Sequence, residues 1–238
     1  MWTLGFDTTA GVVTAALLDG ETVAFKYSCK SSTSHSTTLL PAIEDMLRKA
    51  EISVKDLGLI SCSAGPGSFT GVRIGTSTAK GLAAPHGIPC VGVSSLEAMA
   101  YMFGSTEGIV CPALIARRGN VYTALFRSDG KGNVTRLTPD DLVAISVLGE
   151  FAAQTDGTIT VTGDANDEVL ASLTDAGLDA EIAPVGYELP SGFGAALAGR
   201  KKYLESDDKS VFTAKALMPI YLRKSQAERE LDKTGYKA

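Results

Sequence analysis

Thr3-Leu4-Gly5-Phe6-Asp7, Thr8-Thr9-Ala10-Gly11, Val12-Val13-Thr14-Ala15-Ala16-Leu17-Leu18 and Asp19-Gly20 follow one another at the start of the chain. Two short apolar runs separated by a small-residue turn read as adjacent strands, and Asp-Gly after the second is hairpin chemistry. Glu21-Thr22-Val23-Ala24-Phe25-Lys26-Tyr27 then alternates like an edge strand, which completes a three-stranded meander. The period changes next. Leu39, Leu40, Ile43, Met46 and Leu47 follow the 3-4 spacing of an amphipathic helix, with Ser34 or Ser36 as N-cap and Pro41 fitting only the first turn. Leu57 to Ser63 reads as a strand, Thr70 to His86 as a helix stopped by Gly87, and Ile88 to Val93 as a buried strand. Ser94-Ser95-Leu96-Glu97 opens a third helix with capping-box chemistry. The order β-β-β-α-β-α-β-α predicts an α/β fold, with a meander extended by parallel strands into a mixed sheet flanked by helices.

The pattern breaks around Ser105-Thr106-Glu107-Gly108, which divides the chain into residues 1–105 and 106–238. The second part begins with a strand, Val110 to Ala116, a polar turn Arg117-Arg118-Gly119-Asn120, and a second strand, Val121 to Phe126. A helix or excursion is expected from Asp140 to Phe151, strands at Thr158 to Gly163 and Ala180 to Pro184, and helices at Asn166 to Ala176 and Phe193 to Leu204. Met218-Pro219-Ile220-Tyr221-Leu222-Arg223 is a short strand-like run. Both halves open on a hairpin-forming pair of strands, as one fold used twice would.

Of the 238 residues 45% are hydrophobic and the formal charge is -5. An overall negative surface repels phosphate backbones, so tight unaided binding to nucleic acid is not expected. No apolar run reaches the roughly 20 residues of a membrane helix, and Asp7 interrupts any signal-peptide core. The four cysteines, Cys29, Cys62, Cys90 and Cys111, form no C-x-x-C pair and read as reduced structural thiols of a cytoplasmic protein. The only histidines, His35 and His86, make no metal-binding spacing.

Two stretches could carry chemistry. Asp7-Thr8-Thr9-Ala10-Gly11 places an acid and hydroxyls at a strand end, where they could hold magnesium near a phosphate or bond their own turn. Gly65-Pro66-Gly67-Ser68-Phe69-Thr70-Gly71-Val72-Arg73-Ile74-Gly75 joins a strand to a helix. It lacks the Gly-Lys-Ser/Thr of a P-loop, so close packing is preferred to anion binding. Gly75, Thr76, Ser77, Ala79, Gly81, Ala83 and Ala84 suit a helix that another helix approaches closely.

The Phe6-Asp7-Thr8-Thr9 start, Ser34-His35-Ser36 before Leu39-Leu40-Pro41, the Gly65–Gly75 block, Gly87-Ile88-Pro89, Val91-Gly92-Val93-Ser94-Ser95-Leu96-Glu97, Ala116-Arg117-Arg118-Gly119-Asn120-Val121-Tyr122 and Tyr221-Leu222-Arg223 resemble the TsaB (YeaZ) family. The resemblance is dense over residues 1–125 and returns at the C-terminus. It implies an actin/Hsp70/sugar-kinase-like (ribonuclease H-like) fold of two related domains, each with a mixed five-stranded sheet, the C-terminal segment able to pack back on the first. It also implies a part in making threonylcarbamoyladenosine in tRNAs that read codons beginning with A. In that family TsaB is the non-catalytic companion of its paralogue TsaD, with the ATPase TsaE as a further partner. TsaB self-associates when alone and meets tRNA only through the complex.

The family's partner carries its metal on His-x-x-x-His. Ser95 and Met99 stand there in this chain, and a hydroxyl and a thioether are poor ligands for iron or zinc. Neither a metal nor a tightly bound cofactor is expected, with ATP and magnesium handled by the partner subunits. Asp7, Thr8, Thr9 and Asp164 form a vestigial nucleotide loop, and Ala165 replaces a glycine whose missing Cβ would admit a phosphate. The expected partner surface comprises Leu39, Ile43, Met46 and Leu47 on the first helix with Arg73, Ile74, Ser77 and Thr78 on the second. An alternative is an ATP-dependent small-molecule kinase using Asp7 and Asp164. A metallopeptidase would need a metal centre that the residue types do not supply.

Overall fold

A computed structural model describes residues 1–30, 35–187 and 189–222. β1 (Trp2–Asp7), β2 (Val13–Asp19) and β3 (Thr22–Cys29) form the meander, and β4 (Leu57–Ser63) and β5 (Cys90–Val93) extend it in parallel, giving the order β3-β2-β1-β4-β5. α1 (His35–Lys49) and α2 (Phe69–Ala83) cover one face, where Leu4, Phe6, Leu17, Ile60 and Cys62 meet Leu39, Ile43, Met46 and Leu47. Each of these large side chains contributes roughly 1.5–3 kcal/mol by leaving water.

The second sheet runs in the same pattern. β6 (Glu107–Arg117) pairs antiparallel with β7 (Asn120–Thr123) and β8 (Phe126–Asp129), which in turn pair with β10 (Asp141–Ala144) and β9 (Val134–Arg136). On the other edge β11 (Ile159–Gly163) and β12 (Ala180–Ile182) run parallel to β6. Seven segments thus fill five lanes, and the lane order repeats that of the first sheet. The expected single strand from Val121 to Phe126 is broken at Ala124-Leu125, where the Leu125 amide bonds the Thr138 hydroxyl instead of a ladder partner. The stretch to Phe151 holds β10, a 3-10 turn and α4 (Leu148–Ala152). α4 packs with α5 (Asn166–Asp175).

α3 (Ser95–Ala100) and α6 (Gly192–Glu205) form the layer between the sheets, α3 against β6 and α6 across β1, β2, β4 and β5. Although α6 follows the second sheet in sequence, it belongs by packing to the first. Its contact face is Gly192, Gly194, Ala195, Ala196, Ala198 and Gly199, and the approach is close: a Cβ on Gly5 would overlap the Gly192 carbonyl, and Ser61 Oγ donates to the Ala195 carbonyl at 2.7 Å.

Several local expectations change. α1 begins at His35, so Ser36 lies inside it and Pro41 falls in the second turn, on the exposed side where water can replace the lost ladder bond; Ser34 lies outside the described residues. Ser94 caps α3 by accepting from the Leu96 and Glu97 amides, while the Glu97 carboxylate turns 3.7 Å from Arg136 rather than closing the box. Residues 218–222 are not a strand. The Ile220 amide bonds the Ala64 carbonyl at 2.6 Å, and Leu217 enters the first core. Arg223 lies outside the described residues.

Candidate functional site

The loop after β1, the start of α2, the β6–β7 hairpin and residues 220–222 enclose a cleft of about 660 Å³ between the two sheets. Thr9, Gly11, His35, Ser68, Arg117 and Asp164 are among its lining residues. The cleft gathers the loops expected to form the vestigial nucleotide site, so each of those residues can be tested in place.

Asp7 is not on the cleft wall. It is 1% exposed, and its Oδ1 accepts from the Thr9 amide at 2.7 Å and the Thr9 hydroxyl at 2.9 Å. The Ser63 hydroxyl lies beside it, buried and without a partner of normal hydrogen-bond geometry. Burial raises the Asp7 carboxyl above its ordinary 3.8, opposed by Ser63, the Thr9 bonds and the charge of His35. Thr8 is spoken for as well: its hydroxyl donates to the Gly71 carbonyl at 2.6 Å and fixes the first turn of α2 to the end of β1. The amides at the start of α2 point inward too. Ser68 N bonds the Thr9 carbonyl at 2.7 Å, Gly71 N the Ser68 hydroxyl at 3.3 Å and Val72 N the Ser68 carbonyl at 2.8 Å. The glycine block is therefore a packing device. Gly67, Gly71 and Gly75 make room for Thr8 and Thr9, leaving those donors committed rather than offered to an anion.

On the other side Asp164 lines the cleft, and its Oδ1 accepts from the Ile115 amide at 2.6 Å, a strand-end tie between β11 and β6. Ala165 corrects an expectation. Its side chain is wholly buried in the second core, so its Cβ does not obstruct the cleft. The close approach is made two residues earlier by Gly163 (φ +140°), where a Cβ would overlap the Ala113 carbonyl. Ser95 and Met99 are both buried, Met99 in the core shared by α3 and β6, away from the cleft. Among the described residues no group of three or more His, Cys, Asp or Glu could hold a metal. These side chains fit neither a magnesium-nucleotide centre nor an iron or zinc site.

The sign of the Asp7 shift makes a prediction. A carboxyl raised by burial binds its proton more tightly folded than unfolded, so its contribution to stability is full below 3.8 and is lost as pH rises through the raised value. Asp7→Asn, neutral throughout, should gain stability relative to the parent as pH rises from 3.8 to 7. Urea midpoints of the two proteins across that range check this; a constant difference would contradict it.

The expected partner surface divides in two. Leu39, Ile43, Met46 and Leu47 are at most 5% exposed and pack on their own sheet, which corrects their assignment to an interface: the 3-4 stripe is the core face of α1. A charge at Ile43 would test folding, not docking. On α2 the assignment fits the geometry better. Arg73, Ser77 and Gly81 are exposed and Ile74 and Thr78 half-buried, with exposed Leu40 on neighbouring α1. Arg73 is held within its own chain, its guanidinium 4.0 Å from the Phe69 ring centroid and its Nε donating to the Tyr221 hydroxyl at 3.1 Å, while Tyr221 stacks on Phe69. Tyr221 drew attention in the sequence only as part of a motif, since nothing local predicts a contact across 148 residues.

Three of the four thiols are buried and held protonated. Burial raises Cys62 and pushes Cys90 and Cys111 up to about 12 and about 11. No helix among the described residues is long and apolar enough to cross a membrane.

A family model described as TsaD, tRNA N6-adenosine threonylcarbamoyltransferase, matches residues 29–149. The Bacillus subtilis tRNA threonylcarbamoyladenosine biosynthesis protein TsaB is 32% identical over 235 residues, 96% of each chain. The structure of YeaZ from Pseudomonas aeruginosa superposes with a TM-score of 0.77 at 22% identity, covering 93% of this chain and 99% of that one. A ROK hexokinase from Thermus thermophilus gives 0.54 at 14% identity over 85% of this chain and 99% of its own, a likeness of fold. Two sheets of one lane order, the shared actin/Hsp70/sugar-kinase architecture and a full-length relative above 30% identity agree: the chain belongs to the TsaB (YeaZ) family of tRNA threonylcarbamoyladenosine biosynthesis proteins.

Proposed function

We propose that this chain is a non-catalytic subunit that docks on TsaD through the exposed face of α2 and stabilises the transferase in its competent conformation. The observation that carries the reading is the sealing of Asp7: the acid best placed for phosphate or metal chemistry is buried and bonded by Thr9. What remains accessible is a helix face of small residues, Ser77 and Gly81, beside Leu40, on which a partner helix can come close. In this reading ATP and magnesium belong to the partner subunits, TsaE joins the pair, tRNA is engaged through the assembly, and the same face pairs two copies when TsaD is absent. The three buried thiols suit a cytoplasmic setting. The kinase alternative has little support, since Asp164 is tied to Ile115 and Asp7 is out of reach.

The test is reconstitution. The purified chain should neither hydrolyse ATP nor modify tRNA. Added to TsaD, TsaE, the enzyme that activates the threonylcarbamoyl group, threonine, bicarbonate, ATP and tRNA, it should restore modification. Full modification without it, or steady phosphate release by the chain alone, would overturn the proposal.

A further inference from the structure

Away from the cleft, residues 20–21, Tyr101 to Ser105, Lys131 to Asn133 and one side of α6 enclose a second cavity of about 490 Å³, within the range of small-molecule sites. Its wall is apolar where Tyr101, Met102, Phe193, Leu197 and Leu204 meet. In a chain of net charge -5, this region nevertheless gathers Lys131, Arg200 and Lys201, with Lys26 Nζ 3.7 Å from the centroid of the Phe193 ring, against the carboxylates of Glu21 and Glu205.

The cations are not equally engaged. Lys201 is satisfied by Asn133 Oδ1 at 2.6 Å and Glu205 Oε1 at 3.0 Å. Arg200 differs. Its side chain is only 22% exposed, its buried Nε has no hydrogen-bond partner among the described residues, and its Nη1 stands 3.8 Å from Oε1 of the exposed Glu21, too far for a hydrogen bond. A guanidinium is a planar fork of five donors shaped for a carboxylate, sulfonate or phosphate. We propose that this cavity binds a small amphipathic anion, with its acidic head on Arg200 and an aromatic or aliphatic body against Phe193 and Leu197. An inorganic anion would leave the apolar wall wet, and a neutral apolar molecule would leave the guanidinium unmet. Glu21, itself exposed, competes only weakly for Arg200. Tyr101, pushed up to about 12 by burial beside Glu97 and Glu205, keeps its hydroxyl proton at neutral pH and adds a donor to the wall.

The probe is 8-anilinonaphthalene-1-sulfonate, titrated by fluorescence into the full chain, with N-phenyl-1-naphthylamine as the same body lacking the acid. Saturable binding of the sulfonate to one site is expected, weakened about tenfold or more by Arg200→Met. Glu21→Gln, by removing the competitor, should tighten it about threefold. The neutral amine should bind more weakly and ignore both changes. Equal urea midpoints show that the variants fold, and the Glu21→Gln arm stands if Arg200→Met does not. Sulfonate binding indifferent to both substitutions, or no saturable binding, overturns the proposal.

Discussion

Gly71→Ala is expected to destabilise the chain by about 3 kcal/mol or more, while Gly81→Ala, ten residues along the same helix, should stabilise it by about 0.5–1 kcal/mol. Both positions are helical and both substitutions favour the helix by propensity. What separates them is space. A Cβ on Gly71 would overlap the Thr8 carbonyl, the backbone whose hydroxyl holds the first turn of α2; one on Gly81 meets nothing within 4 Å. The clash is with backbone, so no rotamer relieves it, and α2 must lift from β1 and loosen Thr9 over Asp7. For a chain of this size roughly 2–4 °C of melting temperature corresponds to each kcal/mol, so Gly71→Ala should melt about 6–12 °C lower and Gly81→Ala slightly higher. Thermal melts of the two proteins check the contrast. Equal melting temperatures would mean that the β1–α2 junction is not the tight contact described.

That junction also shows where the sequence was readable. Periodicity and turn chemistry placed the five strands of the first sheet and β6, β7, β11 and β12 of the second to within a few residues, because alternation and Asp-Gly or Arg-Arg-Gly-Asn turns are local signals; Arg118 and Gly119 adopt the positive φ such a turn needs. The short β8, β9 and β10 carry no such signal and were not anticipated as separate strands. Partner choice is not local. Leu39, Ile43, Met46 and Leu47 announce a face to be buried but not what buries it, and their own sheet does so. α6 was recognisable as a helix, yet its allegiance to the first sheet rests on glycines and alanines that give no apolar stripe. Its fit depends on what is missing at Gly5 and on Ser61, far away in sequence. Asp7 drew attention as a strand-end acid, but only the folded loop reveals that Thr9 turns back over it. The surroundings of Arg200 are equally non-local, since Tyr101 and Glu21 come from far earlier in the chain.

On the proposed docking of α2 against TsaD, Ser77→Arg is expected to weaken association about 100-fold or more, some 2.7 kcal/mol, without lowering the melting temperature. Ser77 is exposed between Arg73 and Gly81 on α2, so the isolated chain has room for the longer side chain, and arginine is a good helix former. An interhelical contact lined by serine and glycine lets axes approach toward about 8 Å; a guanidinium there must either hold them apart or be buried without a partner. Substitutions on the opposite side of the helix behave differently: Thr76 and Ala79 face the chain's own core, and changing them lowers stability first and association only as a consequence. Titrating labelled TsaD with parent and Ser77→Arg, alongside melts of each, separates the two cases. Unaltered affinity in a normally folded Ser77→Arg protein would rule out α2 as the proposed docking face.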